Sequence, residues 1–191
     1  MTAVETAPSA RQSELLEKAY AYALDHGLAD LSLRPLATAI GSSPRVLLFL
    51  FGSKDGLVRA LLARARADEL AMLARLEPAE ATIAVVVERV WDWLVEPQHR
   101  PLLTLWVEGY ARSLIDPDGP WAGFARATVD DWLAVLASAQ PATLRRTRVG
   151  EAQRTLALAA LRGTILDLLA TGDVPRITAA VRTQVATMRV S

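Results

Sequence analysis

The chain has 191 residues, 52% of them apolar, and 21 basic residues balance 21 acidic ones. The absence of cysteine excludes disulfides, thiolate metal sites and cysteine catalysis. No apolar run reaches the roughly 18 residues of a spanning helix, and residues 1–10 lack a basic, apolar leader, so a soluble cytoplasmic protein with no membrane partner is expected. Alanine and leucine are abundant and β-branched runs few, which predicts an all-α fold of one or two modules.

Residues 1–10 are small, polar and proline-containing and read as a mobile arm. A first helix is predicted from Arg11 to His26, with Leu15, Leu16, Ala19, Tyr20, Ala23 and Leu24 on one stripe. Gly27 stops it, and His26 sits at the negative end of its dipole. The most informative stretch follows, LSLRPLATAIGSSPRVLLFLFGSKDGL from Leu31 to Leu57. Ser32 is placed to cap a short helix with Pro35 in its first turn and Leu33, Leu36, Ala37 and Ile40 on one face. Gly41 falls where the chain must turn through positive φ. Ser43 then caps a second helix with Pro44 at its first position, and Val46, Leu47, Leu50 and Phe51 form its buried side. Ser53 caps a longer helix that runs from Lys54 to Pro78 through Leu57, Val58, Leu61, Leu62, Met72, Leu73 and Leu76. Helix, tight turn and short helix is the geometry that presents a second helix to a DNA major groove.

This segment resembles the helix-turn-helix of the TetR (tetracycline-repressor-like) family of transcriptional regulators. The likeness rests on Ser32, Arg34, Leu36, Ala37, Gly41, Ser43, Leu47, Phe51, Ser53, Lys54 and Leu57, roughly the first third of the chain. Leu48 departs from it, standing where the family often has a phosphate-contacting tyrosine, and Phe49 and Leu50 replace other residues. The resemblance implies a DNA-binding head over residues 11–57 and an effector-binding, dimerising body over residues 58–191. It also implies about nine helices, a homodimer, a double-stranded DNA operator and a small-molecule effector.

In the head, the second helix is expected to expose Ser42, Pro44, Arg45, Leu48 and Phe49. Arg45 suits a bidentate bond to guanine or, equally, a phosphate contact or an exposed solubilising charge. Arg34 is in reach of phosphate or a base edge, and Lys54 with the N–H groups behind Ser53 forms a phosphate clamp. Phe49 reads either as a thymine-methyl contact or as an aromatic packed on the first helix. Between Ser32 and Arg66 lie Arg34, Arg45, Lys54, Arg59, Arg64 and Arg66 against Asp55 alone, a basic cluster in a neutral chain.

Beyond Pro78 helices are predicted over Thr82–Val95, Pro101–Ile115, Trp121–Ala139, Arg148–Ala170 and Val174–Arg189, with a break at Asp116–Pro120. Trp91, Trp93, Trp106, Tyr110, Trp121, Phe124 and Trp132 all fall in three successive segments. Singly they read as core. As a group, and because the resemblance implies a pocket there, Trp91, Trp106, Tyr110, Trp121, Phe124 and Trp132 are candidates for an apolar or aromatic effector site. Trp91 and Trp93, two residues apart, cannot share a helix face, so at most one points inward. Glu108, Arg112, Arg162 and Asp167 are the candidate polar anchors; of Arg162 and Asp167, which lie in an otherwise apolar segment, at least one is expected to face solvent or the subunit interface. Ala157, Ala159, Ala160 and Gly163 allow close helix approach and favour dimerisation through the last two helices.

Catalytic signals are missing. His26 and His99 have no metal-ligand spacing, and Gly52–Gly56 lacks a nucleotide-loop pattern, so neither metal nor cofactor nor enzymatic activity is expected. The best reading is a one-component regulator, with repression as the family's usual sign. The alternative is a helical small-molecule-binding protein of the same fold without specific DNA recognition.

Overall fold

A computed structural model describes residues 9–28, 30–76 and 82–190. The described residues form ten α-helices and one short 3₁₀ turn, without strands. The helices are α1 (Ala10–His26), α2 (Leu33–Ala39), α3 (Pro44–Phe51), α4 (Lys54–Leu76) and α5 (Ile83–Leu94). After the 3₁₀ turn at Pro97–His99 come α6 (Arg100–Ile115), α7 (Phe124–Ser138), α8 (Ala142–Arg145), α9 (Arg148–Thr171) and α10 (Val174–Val190). The arm predicted over residues 1–10 lies, up to residue 8, outside the described residues, as does Pro78, where α4 was expected to end.

The helix boundaries follow local chemistry. Ser9 Oγ accepts from Gln12 N, Ser43 Oγ from Val46 N, Thr82 Oγ1 from Val85 N and Thr147 Oγ1 from Gly150 N, each satisfying an otherwise orphaned first-turn donor. Ser32 departs from expectation: its backbone is extended as a cap requires, yet its side chain makes no capping bond. Val46, expected on the buried side of α3, is exposed, because α3 touches the rest of the head mainly through Leu47. Trp121 does not open a helix. It sits in the turn that follows Asp116–Pro120, and α7 begins at Phe124 behind Gly123, whose φ is +75°. The additional helix α8 spans four residues, too few to show a 3.6-residue period.

One continuous apolar core runs from Leu15 on α1 to Val185 on α10. α4 packs on α1 and α3 and also on α5, α6 and α7. Three polar ties fasten head to body. Tyr20 Oη donates to Asp68 Oδ2 at 2.9 Å, and burial together with Asp68 pushes its hydroxyl pKa upward. Arg64 donates to Glu17 at 2.7 Å and to Asp68, and stacks over the Tyr20 ring. Leu28 N donates to Glu108 Oε2 of α6 at 2.9 Å. In the body, Trp91 is fully buried and donates from its indole to Thr178 Oγ1 at 3.0 Å, which anchors α5 on α10.

Gly109 lies at the junction of α6, α7 and α4. A Cβ there would stand 3.0 Å from Phe124 Cε1 and 3.1 Å from Leu62 Cδ2. Gly109→Val is expected to destabilise the fold by about 1–3 kcal/mol through overpacking. Urea unfolding checks this as a lower midpoint at unchanged slope; wild-type stability would mean that the junction yields freely.

Candidate functional site

The head builds its surface from two turns. Gly41 has φ +66°, and nothing lies within 4 Å of a Cβ placed there, so the backbone conformation alone selects glycine. Ser42 N closes the turn onto Ala37 O at 2.8 Å. α3 then leaves with Arg45, Leu48 and Phe49 exposed, and Phe49 keeps 85% of its surface accessible. An aromatic that open is not packed on α1, which removes that alternative. Ser42 and Pro44 differ from expectation in being half-buried, and Ser42 Oγ is turned inward without a partner. Ser53 Oγ accepts from Gly56 N at 2.9 Å, capping α4 and leaving Lys54 exposed beside its first turn.

The basic cluster is smaller than its sequence suggests. Arg64 is held by Glu17 and Asp68, and Arg66 is bound bidentately by Asp131 at 2.6 and 2.9 Å. Arg34, Arg45, Lys54 and Arg59 have no carboxylate partner among the described residues. These four remain for an external anion.

The body holds a cavity of about 320 Å³ between α4, α6, α7 and α9. Of the candidate residues, Trp106, Tyr110, Trp132 and Arg162 line it, with Leu158, Leu161 and Ile165 completing the apolar wall. Trp91, Trp121 and Phe124 do not. Trp91 fills the α5–α10 contact, Trp121 is buried in the turn before α7, and Phe124 packs toward Leu62 and Gly109. Trp93 is half-buried and stacks on His99, so only Trp91 of that pair is fully inside. The polar anchors separate likewise. Glu108 is the α6 end of the tie to Leu28, Arg112 is exposed, and Asp167 pairs with Arg176 at 2.7 Å on the surface. Arg162 alone faces the cavity, its guanidinium 4.8 Å from the Tyr110 ring centre.

Glu69 is the cavity residue that the sequence reading missed. It is only 1% exposed, and Trp132 donates its indole N–H to Oε1, while Oε2 has no partner. Burial pushes its carboxyl from an ordinary 4.5 up to about 7, and Asp131 adds to this, against the lowering effects of the Trp132 bond, Arg162 and Arg66. Its signal was present in the sequence. Glu69 lies four residues after Ala65 and four before Leu73, on the apolar stripe of α4.

A second cavity, of about 370 Å³ between α5, α9 and α10, is lined by Gln140 and Gln153. Gln140 Nε2 donates to Gly150 O and to Gln153 Oε1, and Gln140 Oε1 accepts from Arg154, so the Gln140 amide is accounted for within the chain. Among the described residues no group of His, Asp or Glu could hold a metal ion, and no helix is long and apolar enough to cross a membrane.

The arrangement is that of the TetR-family transcriptional regulators. No protein-family model and no curated protein matches the sequence, so the likeness is one of structure. A transcriptional regulator from Rhodococcus sp. Rha1 superposes with a TM-score of 0.76 at 19% identity, over 93% of this chain and 95% of that one. A TetR transcription regulator from Haloarcula marismortui gives 0.71 at 17% identity, over 93% and 95%. The multidrug binding protein EbrR, in its imidazole complex, gives 0.66 at 23% identity, over 92% and 89%. The chain therefore has the TetR-family fold along nearly its whole length.

The raised pKa of Glu69 has a definite sign. Between 4.5 and about 7 the folded chain holds a proton that the unfolded chain releases, so stability falls as pH rises through that window. Glu69→Gln removes this loss and keeps the oxygen that accepts from Trp132. Its stability relative to wild type is expected to rise by up to about 3 kcal/mol between pH 4.5 and 7.5. Parallel urea titrations at the two pH values check this, and a pH-independent difference would mean that Glu69 ionises normally.

Proposed function

We propose that the chain is a homodimeric, one-component DNA-binding regulator, a repressor released from a two-fold symmetric operator by a small apolar or aromatic effector. One observation carries this reading: a helix-turn-helix with unpaired surface cations and a cavity with unsatisfied polar atoms lie in one chain, joined through α4 and through the Glu108 bond of α6 to Leu28 N. In this reading Arg45 bonds guanine and Phe49 meets thymine methyls. Arg34, Lys54 and the start of α4 hold phosphates. The effector enters against Trp106 and Tyr110 of α6, the helix whose Glu108 holds Leu28 N at the base of the head. Movement of α6 and α4 then changes the separation of the two heads, which half-sites about 34 Å apart do not tolerate. DNA and effector oppose each other reciprocally. EbrR, which shares the fold, is described in complexes with imidazole and with proflavin, which is in keeping with an aromatic effector here.

Selection from random duplex DNA with the purified protein, followed by anisotropy titration over a salt series, tests the head. Arg45→Ala is expected to weaken the selected site by about 1–3 kcal/mol and relax one of its positions. Lys54→Ala should weaken all sequences alike and flatten the salt dependence. If no sequence is enriched and both variants bind as wild type does, the regulator reading falls, leaving a small-molecule-binding protein of this fold.

For dimerisation we propose α9 and α10; on α9, Leu156, Leu166 and Gly163 are exposed and nothing lies within 4 Å of a Cβ placed at Gly163. Gly163→Leu thus fits the isolated chain and overpacks only a partner. Its dimer dissociation constant is expected to rise about 5- to 150-fold, the equivalent of 1–3 kcal/mol. Sedimentation velocity checks it. A wild-type monomer at micromolar concentration removes the dimer, and an unaffected variant moves the contact off Gly163.

A further inference from the structure

Four buried side-chain polar atoms lack a hydrogen-bond partner among the described residues, and three of them belong to residues lining the cavity between α4, α6, α7 and α9. They are Glu69 Oε2, Thr128 Oγ1 and Arg162 Nη2. An unsatisfied buried polar atom carries a desolvation cost, and three in one cavity point to a ligand that completes them. Resting on the effector-cavity reading above, we propose that the cavity takes an organic monoanion, a flat apolar molecule whose carboxylate or phenolate oxygen meets Arg162, with Glu69 protonated in the complex.

The argument is one of charge. Arg162 has no ion-pair partner among the described residues; its guanidinium rests on the Tyr110 ring, and Nη2 is left for an acceptor. The charges acting on Glu69 are Arg66 from its own helix α4, Asp131 from α7 and Arg162 from α9, while α6 presents the rings of Trp106 and Tyr110. Arg66 and Asp131 are bound to each other and largely cancel. What remains is Glu69 and Arg162, and only one of these can change. Arginine keeps its proton in proteins, whereas the Glu69 carboxyl, raised to about 7 by burial, gains one near neutral pH. The pair therefore runs between zero and one positive charge and never becomes negative. An anion finds Arg162 and, once Glu69 has taken up a proton from solvent, two hydroxyl donors, Glu69 and Thr128. A cation finds an arginine that cannot be discharged.

The test uses full-length protein and three isosteric probes: naphthalene-2-carboxylate, naphthalene-2-carboxamide and 2-naphthylmethylammonium. Calorimetry at pH 7 in two buffers of different ionisation enthalpy reads affinity and proton uptake together. The carboxylate is expected to bind at least about tenfold tighter than the other two, the scale of one charge-assisted hydrogen bond. Its binding should take up about half a proton per chain, because Glu69 is half protonated beforehand. Arg162→Met should bring carboxylate and amide to equal affinity, and Glu69→Gln should keep the carboxylate preference while losing the proton uptake. An ammonium or amide that binds as tightly as the carboxylate overturns the anion and leaves the cavity as an effector site. If none of the three binds, both readings fall. Should Arg162→Met not fold, the wild-type affinity order and proton count decide alone.

Discussion

The rest of the molecule depends on α4 being buried along both of its halves. A helix of 23 residues is about 35 Å long, and here Leu57, Leu61 and Ala65 are as inaccessible as Met72 and Leu73 beyond them. Arg59, Ala63, Ala67 and Leu70 mark its one open side, and the charged residues away from that side are compensated where they stand. Arg64 and Asp68 are spent on α1, Arg66 on α7, and Glu69 on Trp132. A helix fixed in this way cannot tilt without disturbing ties on opposite sides of it. This rigidity couples the head to the body.

α6 is the second connection and works over a shorter distance. Within one turn and a half it presents Trp106 and Tyr110 to the cavity and Glu108 to the backbone of Leu28. Gly27 reinforces the constraint, since a Cβ at that position would stand 3.3 Å from Glu108 Oε2. The chain between α1 and α2 is thus held by a side chain whose helix also forms a cavity wall. Packed cores respond to a new volume by discrete shifts and not by gradual yielding, so a wall and a latch on one helix move together.

Local chemistry was legible in the sequence and long-range orientation was not. Gly41, Ser43, Pro44 and Ser53 act within a few residues of themselves, and the turn and caps they announce are those observed. The fold class follows from the same level of information, although α8 is too short to leave a periodic trace. The cavity lining needed more. Trp106 and Trp132 face it while Trp91, Trp121 and Phe124 do not, because which way an indole points is decided by helices far away in the chain. Arg162 and Asp167, alike in sequence context, divide between cavity and surface for the same reason. Glu69 was readable from its place on an apolar stripe, but a carboxylate among leucines attracts less notice than five tryptophans.

The bond from Trp132 to Glu69 has a consequence of another kind. An indole whose N–H is held by a carboxylate near its titration point senses that carboxylate's electric field, which shifts the energy of its excited state. Trp132 is a native chromophore at the edge of the cavity, and its neighbour changes charge close to neutral pH. Spectroscopy on the unlabelled chain can therefore follow the ionisation of a single buried residue, with Trp91 and Trp121, which do not line the cavity, as an internal reference.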